Sequence, residues 1–423
     1  EKYKDSGIEW IGEVPEHWDI VPNKVLFSER NERKGDMNFE LLAVTQNYGI
    51  IKQEEITIKK DISSLDKSNY KIVRISDLAY NKMRMWQGAV GHSNYEGIVS
   101  PAYVVLKPAS IANSKYYQYL FKSPNMIFSF QLESYGICDD QNSLRYKDFK
   151  NILSIFPPKN EQKTIANFLD HKTSEIDSLI ADKEKLIKKL EEYKQSIITE
   201  AVTKGLNPDV KMKDSGVEWI GEIPEHWKVK RLKHVVDLIN VKTDNNNLPY
   251  IGLEHVESWT GKYLQPDNPP QPEAEANIFE TIDVLFGKLR PYLAKVLMPS
   301  FQGRCSSEFL VLRRQSIQRK FLFYSVLSHR FISIVDSSTY GAKMPRASWN
   351  FIGDMSLTVP PFKEQEEIHQ LLESKINLIN AIIEESKCFI QNLKSYRQSL
   401  IYEAVTGKID VRDYQPERSE QLA

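Results

Sequence analysis

The sequence predicts an α+β protein built twice. Two globular α/β domains are expected, joined by two long antiparallel coiled-coil helices in a pseudo-two-fold arrangement. Three observations predict this. Residues 4–20, KDSGIEWIGEVPEHWDI, recur at 213–229 as KDSGVEWIGEIPEHWKV, with 13 of 17 positions identical and three of the four differences Ile/Val exchanges. FPPKNEQKTIANFLD from Phe156 recurs as VPPFKEQEEIHQLLE from Val359, and the runs end alike, in YKQSIITEAVTKG from Tyr193 and YRQSLIYEAVTGK from Tyr396. Between these anchors the match weakens but persists: DLAYNKMR from Asp77 against DVLFGKLR from Asp283, SPAYVVL from Ser100 against SSEFLVL from Ser306, and Tyr135-Gly136 against Tyr340-Gly341. The expected partition is 1–158 and 207–361 for the globular domains, 159–206 and 362–410 for the helices, and 411–423 for a tail.

At 423 residues the chain has room for several domains, and 41% hydrophobic with 27% charged residues is ordinary for a globular protein. No apolar run reaches the length of a membrane span, and no secretory signal stands before the first repeat. Cys138, Cys305 and Cys388 are isolated, without metal-ligand spacing. This suits a reducing cytoplasm and argues against disulfides and zinc. The net charge of −1 argues against a polyanion partner, but the distribution does not. Residues 20–156 hold 18 Lys+Arg against 14 Asp+Glu, and residues 228–358 hold 17 against 12. Basic charge sits in the diverged middles, where nucleic acid needs it; ordinary fluctuation gives a similar excess.

Taken in order, the KDSG…EHW segment is rich in Gly, Pro and Trp and reads as a compact irregular entry. His17-Trp18 and His226-Trp227 fit either a site or, more simply, a packing anchor with a capping histidine. The first middle carries short strand-like runs at Leu41–Thr45, Ile72–Ile75 and Val104–Leu106. Residues 115–132 have helical spacing broken by Pro124. After Pro157-Pro158, Asn160 is the expected N-cap, and Glu161 suits the positive helix end. A 4-3 stripe then runs through Leu169, Lys172, Ile176, Leu179, Lys183, Leu186, Leu190, Tyr193, Ile197 and Glu200. Its copy runs through Leu372, Lys375, Ile379, Ile382, Ser386, Phe389, Leu393, Tyr396, Leu400 and Glu403. Gly205 and Gly407 stop the helices. Each helix of about 40 residues would be about 60 Å long. A stripe of this kind packs either on the other copy's helix or on its own globular domain.

These features resemble the specificity (S) subunits of type I restriction-modification systems. The resemblance rests on WIGEIPEHWKVKRL from Trp219, DLAYNKMRMWQG and GIVSPAYVV from Asp77 and Gly97, the PPxxEQxxI helix starts at Pro157 and Pro360, and the closing ITEAVTKG and IYEAVTGK. It covers essentially the whole chain, duplication included. It implies two target recognition domains, each reading one half of a split, asymmetric DNA site. It also implies helices on which two methyltransferase (M) subunits dock, with restriction/translocase (R) subunits joining through them. The chain departs from the family in opening at Glu1 without methionine, as expected if a few residues or a tag were removed.

Catalytic chemistry is not expected in this chain. Asn268-Pro269-Pro270-Gln271 resembles the NPPY loop with which amino-methyltransferases hold a flipped adenine, but Gln271 stands where an aromatic must stack. There is no P-loop and no His/Cys cluster. No cofactor is expected here; S-adenosylmethionine belongs on the M subunit. DNA contact needs Lys and Arg for phosphates, and Arg, Lys, Asn or Gln for base edges. In the first domain the candidates are Lys82, Arg84, Trp86 and Gln87, with the loop residues Gln141, Asn142, Ser143 and Arg145. In the second they are Lys288, Arg290 and Tyr292, with Lys343 and Arg346. Against each stands the commoner role of a solvated or ion-paired surface residue. The alternative for the whole chain is a duplicated protein-binding scaffold that reads no DNA sequence.

Overall fold

The computed structural model describes residues 2–8, 11–35, 39–46, 49–55, 66–136, 142–245, 247–266, 276–339 and 344–415. The chain divides into two compact units, Glu1–Asp182 with Cys388–Ala423, and Lys183–Lys387. The division falls inside the two long helices, Lys159–Lys204 and Phe362–Val405, which span 46 and 44 residues. Each unit therefore combines one globular block with parts of both helices.

In the first unit, the expected irregular entry is a hairpin, with Tyr3–Asp5 antiparallel to Glu13–Pro15. The Asp5 carboxylate accepts from the Gly7 N–H at 2.9 Å, a local turn that closes the ribbon. A four-stranded antiparallel sheet follows, in the order Phe27–Arg30, Tyr103–Pro108, Leu78–Asn81, Val90–His92. Asn113 caps the helix Ser114–Phe121 by accepting from the N–H groups of Lys115 and Tyr116. Pro124 ends that run by starting a second helix, Pro124–Leu132, at a position where its missing N–H costs nothing. Strand Leu153–Phe156 pairs with Asp19–Pro22 and delivers the chain to Pro157-Pro158. The core joins Trp18, Leu78, Tyr80, Val104 and Phe121 to Leu169 and Ile176 of the first long helix, and to Leu400 and Ala404 of the second.

The second unit repeats this plan. Its sheet runs Val236–Ile239, Phe309–Arg314, Asp283–Gly287, Val296–Leu297. A second sheet, Lys242–Thr243, Ala276–Phe279, Gly303–Cys305, Tyr250–Ile251, includes a parallel pair at Tyr250–Arg304 and Ile251–Cys305. The core joins Trp227, Val284, Leu312 and Phe331 to Ile198 and Val202, and to Ile368 and Leu372.

The repeated motifs meet in the same way in both units. The buried Trp18 donates its indole N–H to Glu161 Oε2 at 2.9 Å, and His17 Nε2 lies 2.9 Å from Oε1. Trp227 and His226 do the same to Glu364, at 2.8 and 2.7 Å. The next residue, fully buried Gln162 or Gln365, accepts from the N–H of Asn113 or Gln318 and donates to the carbonyl of Pro157 or Pro360, all at 2.8 Å. The Glu-Gln pair at each helix start thus ties entry hairpin, helix and globular block together. The stop glycines close the circle. Gly205 and Gly407 have φ of 78° and 74°, and a Cβ on either would press against Trp227 or Trp18, at 3.0 and 2.8 Å.

The long helices pack on each other and run antiparallel. In the first unit the start of one meets the end of the other, where Arg397 Nε donates to Asp177 Oδ1 at 2.9 Å. In the second, Lys194 Nζ donates to Asn380 Oδ1 at 3.2 Å. The seam differs from the expected stripe at every second position. Ile176 and Ile379 are buried as expected, but Leu179, Leu186 and Tyr193 are exposed, as are Ile382, Phe389 and Tyr396. The buried positions lie one residue later, at Thr173, Lys194, Ile383 and Ile390. Both registers share 169, 176, 183 and 190, and the sequence offers apolar neighbours on both sides (Leu179-Ile180, Leu186-Ile187, Ile382-Ile383, Phe389-Ile390), so spacing alone does not choose. Asn160 is likewise not the N-cap: the helix begins at Lys159, and the Asn160 carbonyl accepts from the Thr164 hydroxyl inside the first turn. Among the described residues, no helix is long and apolar enough to cross a membrane.

Candidate nucleic-acid interface

In each unit the two predicted clusters come together at one end of the four-stranded sheet. In the second unit, strand Asp283–Gly287 runs straight into Lys288, whose N–H donates to the Glu308 carbonyl at 2.9 Å. The Lys288 carbonyl accepts from Ala347 at 3.0 Å, Leu289 bridges Arg346, and Arg290 N–H donates to Pro345 at 2.8 Å. Segments 288–292, 306–308 and 344–347 thus form one surface. Arg290 is exposed and left-handed, at φ 50° and ψ 63°, a conformation that costs a non-glycine residue about 1–2 kcal/mol. Tyr292, two residues on, is 47% exposed. Arg346 is ion-paired: its Nε and Nη2 donate to both Glu308 oxygens at 3.0–3.2 Å. Lys343 lies outside the described residues.

The first unit has the same backbone with other side chains. Lys82 N–H donates to the Ala102 carbonyl at 3.3 Å, and the Lys82 carbonyl accepts from Leu144 at 2.9 Å. Lys82, Arg84, Trp86 and Gln87 follow strand Leu78–Asn81 through a 3-10 turn, Met85–Gln87. The Trp86 indole is held by the Met83 carbonyl at 2.9 Å, and Gln46 Nε2 donates to the Gln87 carbonyl and Oε1 at 3.1 and 3.3 Å. On the facing loop, Asn142 and Ser143 are half-buried, and Ser143 bridges Tyr135. The guanidinium of Arg145 and the ammonium of Lys147 lie 5.3 and 5.4 Å from the centre of the Tyr135 ring. Burial lowers the proton affinity of Lys82, and the charges of Lys71, Arg145 and Arg33 lower it further against the opposing pull of Glu29. Gln141 lies outside the described residues.

At the start of the strand that leads into each surface, a buried aspartate locks the sheet. Asp283 accepts from Arg313 Nε and Nη2 at 2.8 and 2.9 Å, and Asp77 accepts from Arg30 at 2.7 and 3.2 Å. The aspartates occupy equivalent places in the repeat; the arginines come from different strands.

Sequence reasoning missed Glu308, Gln46, Tyr135, Lys71 and Lys147. Tyr135 lies in a repeated pair and Lys147 stands two residues beyond Arg145, and that proximity was the available signal. Glu308 gave none, because an acid is not sought on a face expected to bind a polyanion. Among the described residues no group of three or more His, Cys, Asp or Glu side chains could hold a metal. Burial raises the Cys305 thiol to about 12, Cys388 is exposed, and Cys138 and the 268–271 loop lie outside the described residues. The arrangement offers exposed cations and amides, the donors that phosphate oxygens and the acceptor atoms of base edges take up, beside aromatic rings on converging loops.

The family model described as "Type I restriction modification DNA specificity domain" matches residues 224–390. The type I restriction enzyme EcoDI specificity subunit of Escherichia coli is 23% identical over 289 residues, 63% of this chain and 64% of its own length. The MjaVIII specificity subunit of Methanocaldococcus jannaschii is 27% identical over 78% of this chain and 79% of its own length. The putative MjaX specificity subunit of the same organism is 24% identical over 95% of this chain and 96% of its own length. The chain is similar to type I specificity subunits over almost its whole length. The family read from the repeated motifs is therefore the family that matches. The fold agrees. The HsdS subunit from Thermoanaerobacter tengcongensis has a TM-score of 0.56 at 17% identity, covering 94% of this chain and 98% of that one. A chain solved in work on complex assembly and conformational transition of the type I R-M system has a TM-score of 0.72 at 16% identity, covering 94% and 99%.

Proposed function

We propose that this chain is the DNA sequence-recognition subunit of a type I restriction-modification complex, reading a bipartite, asymmetric site with one half-site per globular domain. The observation that carries this is the surface built twice on one backbone with different side chains. Lys82, Ala102 and Leu144 repeat the backbone bonds of Lys288, Glu308 and Ala347, yet one surface presents Gln46, Gln87 and Arg145, the other Arg290, Tyr292 and Arg346. The same frame with different donors suits the same task on different sequence.

In this reading the chain performs no chemistry. Methylation, with its S-adenosylmethionine, belongs to two M subunits, and cleavage to R subunits that join through them. The exposed apolar residues of the long helices support such docking: Leu179, Leu186 and Tyr193 match Ile382, Phe389 and Tyr396 across the repeat. Exposed apolar side chains at matching heptad places on both helices suit two copies of one partner. In the second unit a cleft of about 740 Å³ beside Gln195, Thr199 and Trp259 adjoins the first helix and extends the surface on offer.

The test is selection from random duplexes by the chain with its M subunits, at two salt concentrations. A reader selects sequence and loses affinity as salt rises. A chain that enriches no sequence while still binding M subunits is a protein scaffold.

A further inference from the structure

We infer that Glu308 is a positioning residue for Arg346, and that the pair reads a G·C base pair in the half-site of the second unit. This deepens the proposed DNA-reading function and rests on it.

The geometry sets this pair apart from an ordinary surface ion pair. Arg346 Nε lies 3.2 and 3.1 Å from the two Glu308 oxygens, and Nη2 lies 3.0 Å from Oε1, so one edge of the guanidinium is clamped against the carboxylate plane. Both anchors are themselves fixed. The Glu308 carbonyl accepts from Lys288, its N–H donates to the Ser306 hydroxyl at 3.2 Å, and Arg346 is bridged to Leu289. The acid's side chain is 21% exposed and the base's 47%, so the carboxylate backs the guanidinium and the guanidinium faces outward. The pair sits beside Arg290, on the loops that converge at this end of the sheet.

An arginine free to rotate suits a phosphate equally well. One whose plane is fixed before binding suits a planar acceptor pair, and guanine O6 and N7 are that acceptor pair in the major groove. A carboxylate behind it repels phosphate, which leaves a base edge as the better partner for the outward-facing guanidinium. The fixed fork and the disfavoured phosphate together point to the guanine of a G·C pair. The equivalent places in the first unit hold Ala102 and Ser143, so this feature belongs to one half-site only.

The experiment maps methylated sites in cells expressing the full chain, its M subunits and one of three versions: wild type, Glu308→Gln or Arg346→Lys. Purified complexes are tested in parallel on duplexes substituted at each position of the mapped site. The expected result is a G·C position in one half-site that both variants relax, with discrimination falling about 10-fold or more there and unchanged elsewhere. Arg346→Lys keeps the charge, so an effect of that variant separates fork geometry from charge, and thermal melting of each complex reports folding. A wild type that selects sequence while both variants keep full selectivity overturns the inference and leaves the proposed function standing. A uniform loss on all duplexes also overturns it, assigning Arg346 to a phosphate. A wild type that selects nothing overturns the function itself.

Discussion

The Trp227 indole donates to Glu364 Oε2 at 2.8 Å, across 137 residues of sequence. Trp227 is fully buried, so loss of this acceptor takes away the hydrogen bond of its N–H. Glu364→Ala is expected to destabilise the second unit by about 1–3 kcal/mol. Glu364→Gln, which retains an acceptor, is expected to cost less. Chemical denaturation of the two variants checks the order, and equal stability of both with wild type contradicts it.

The sheet lock makes a sharper demand. Asp283 is fully buried, accepts from Arg313, and also accepts the Glu280 N–H at 2.8 Å. Asp283→Ala takes the buried acceptor away from Arg313, which keeps Glu280 at 3.0 Å, and from the Glu280 N–H, a change that typically costs about 1–3 kcal/mol. The expected outcome is a lower melting midpoint together with faster proteolysis near residues 288–292.

Lys122 gives a pH prediction. It follows the helix Ser114–Phe121 at a place that the repeat fills with the buried Leu327. Burial first, then the neighbouring Arg397, lowers its ammonium to about 8. The folded state therefore binds fewer protons than the unfolded state between pH 8 and the ordinary lysine range. Wild-type stability should rise with pH across that window. Lys122→Leu is expected to stabilise at pH 7 by about 1–2 kcal/mol, after a discount for the solvent that reaches this half-buried side chain. That advantage should shrink as pH rises through the window. Melting curves of both proteins from pH 7 to 10 decide it, and an advantage independent of pH contradicts it.

Arg290 is the predicted base reader on a strained turn. Arg290→Ala should reduce discrimination at one or two base pairs of a single half-site, by about 1–3 kcal/mol for each bidentate pairing with a base. Weakening that is equal on all duplexes would assign Arg290 to a phosphate instead.

Much of this organisation is legible in the sequence, because duplication repeats what packing requires. Glu161 with Trp18, and Gly407 beneath the same ring, recur at Glu364, Trp227 and Gly205, so the repeat marks the ties between helix and globular block before any coordinate is known. What identity marks, divergence hides. The helix seam eluded spacing because Leu179 and Ile180 are both apolar, and only the packed partner decides which turns inward. Arg313 takes over Arg30's role from another strand, a substitution without a trace in the aligned motifs. Lys82 and Leu144, 62 residues apart (144 − 82), meet through backbone atoms, which carry no sequence signature. The candidate loops were chosen because cations are expected on a DNA-binding face; Glu308, the acid proposed to orient Arg346, carries no such signal.

The measurement that tests the central claim most directly is methylome mapping in cells carrying this chain and its M subunits. The account predicts a split site with two unlike half-sites at a fixed gap. It further predicts that exchanging residues 228–358 for those of a relative changes one half-site and leaves the other intact. A single contiguous motif, a perfect palindrome, or an exchange that rewrites both halves would contradict it.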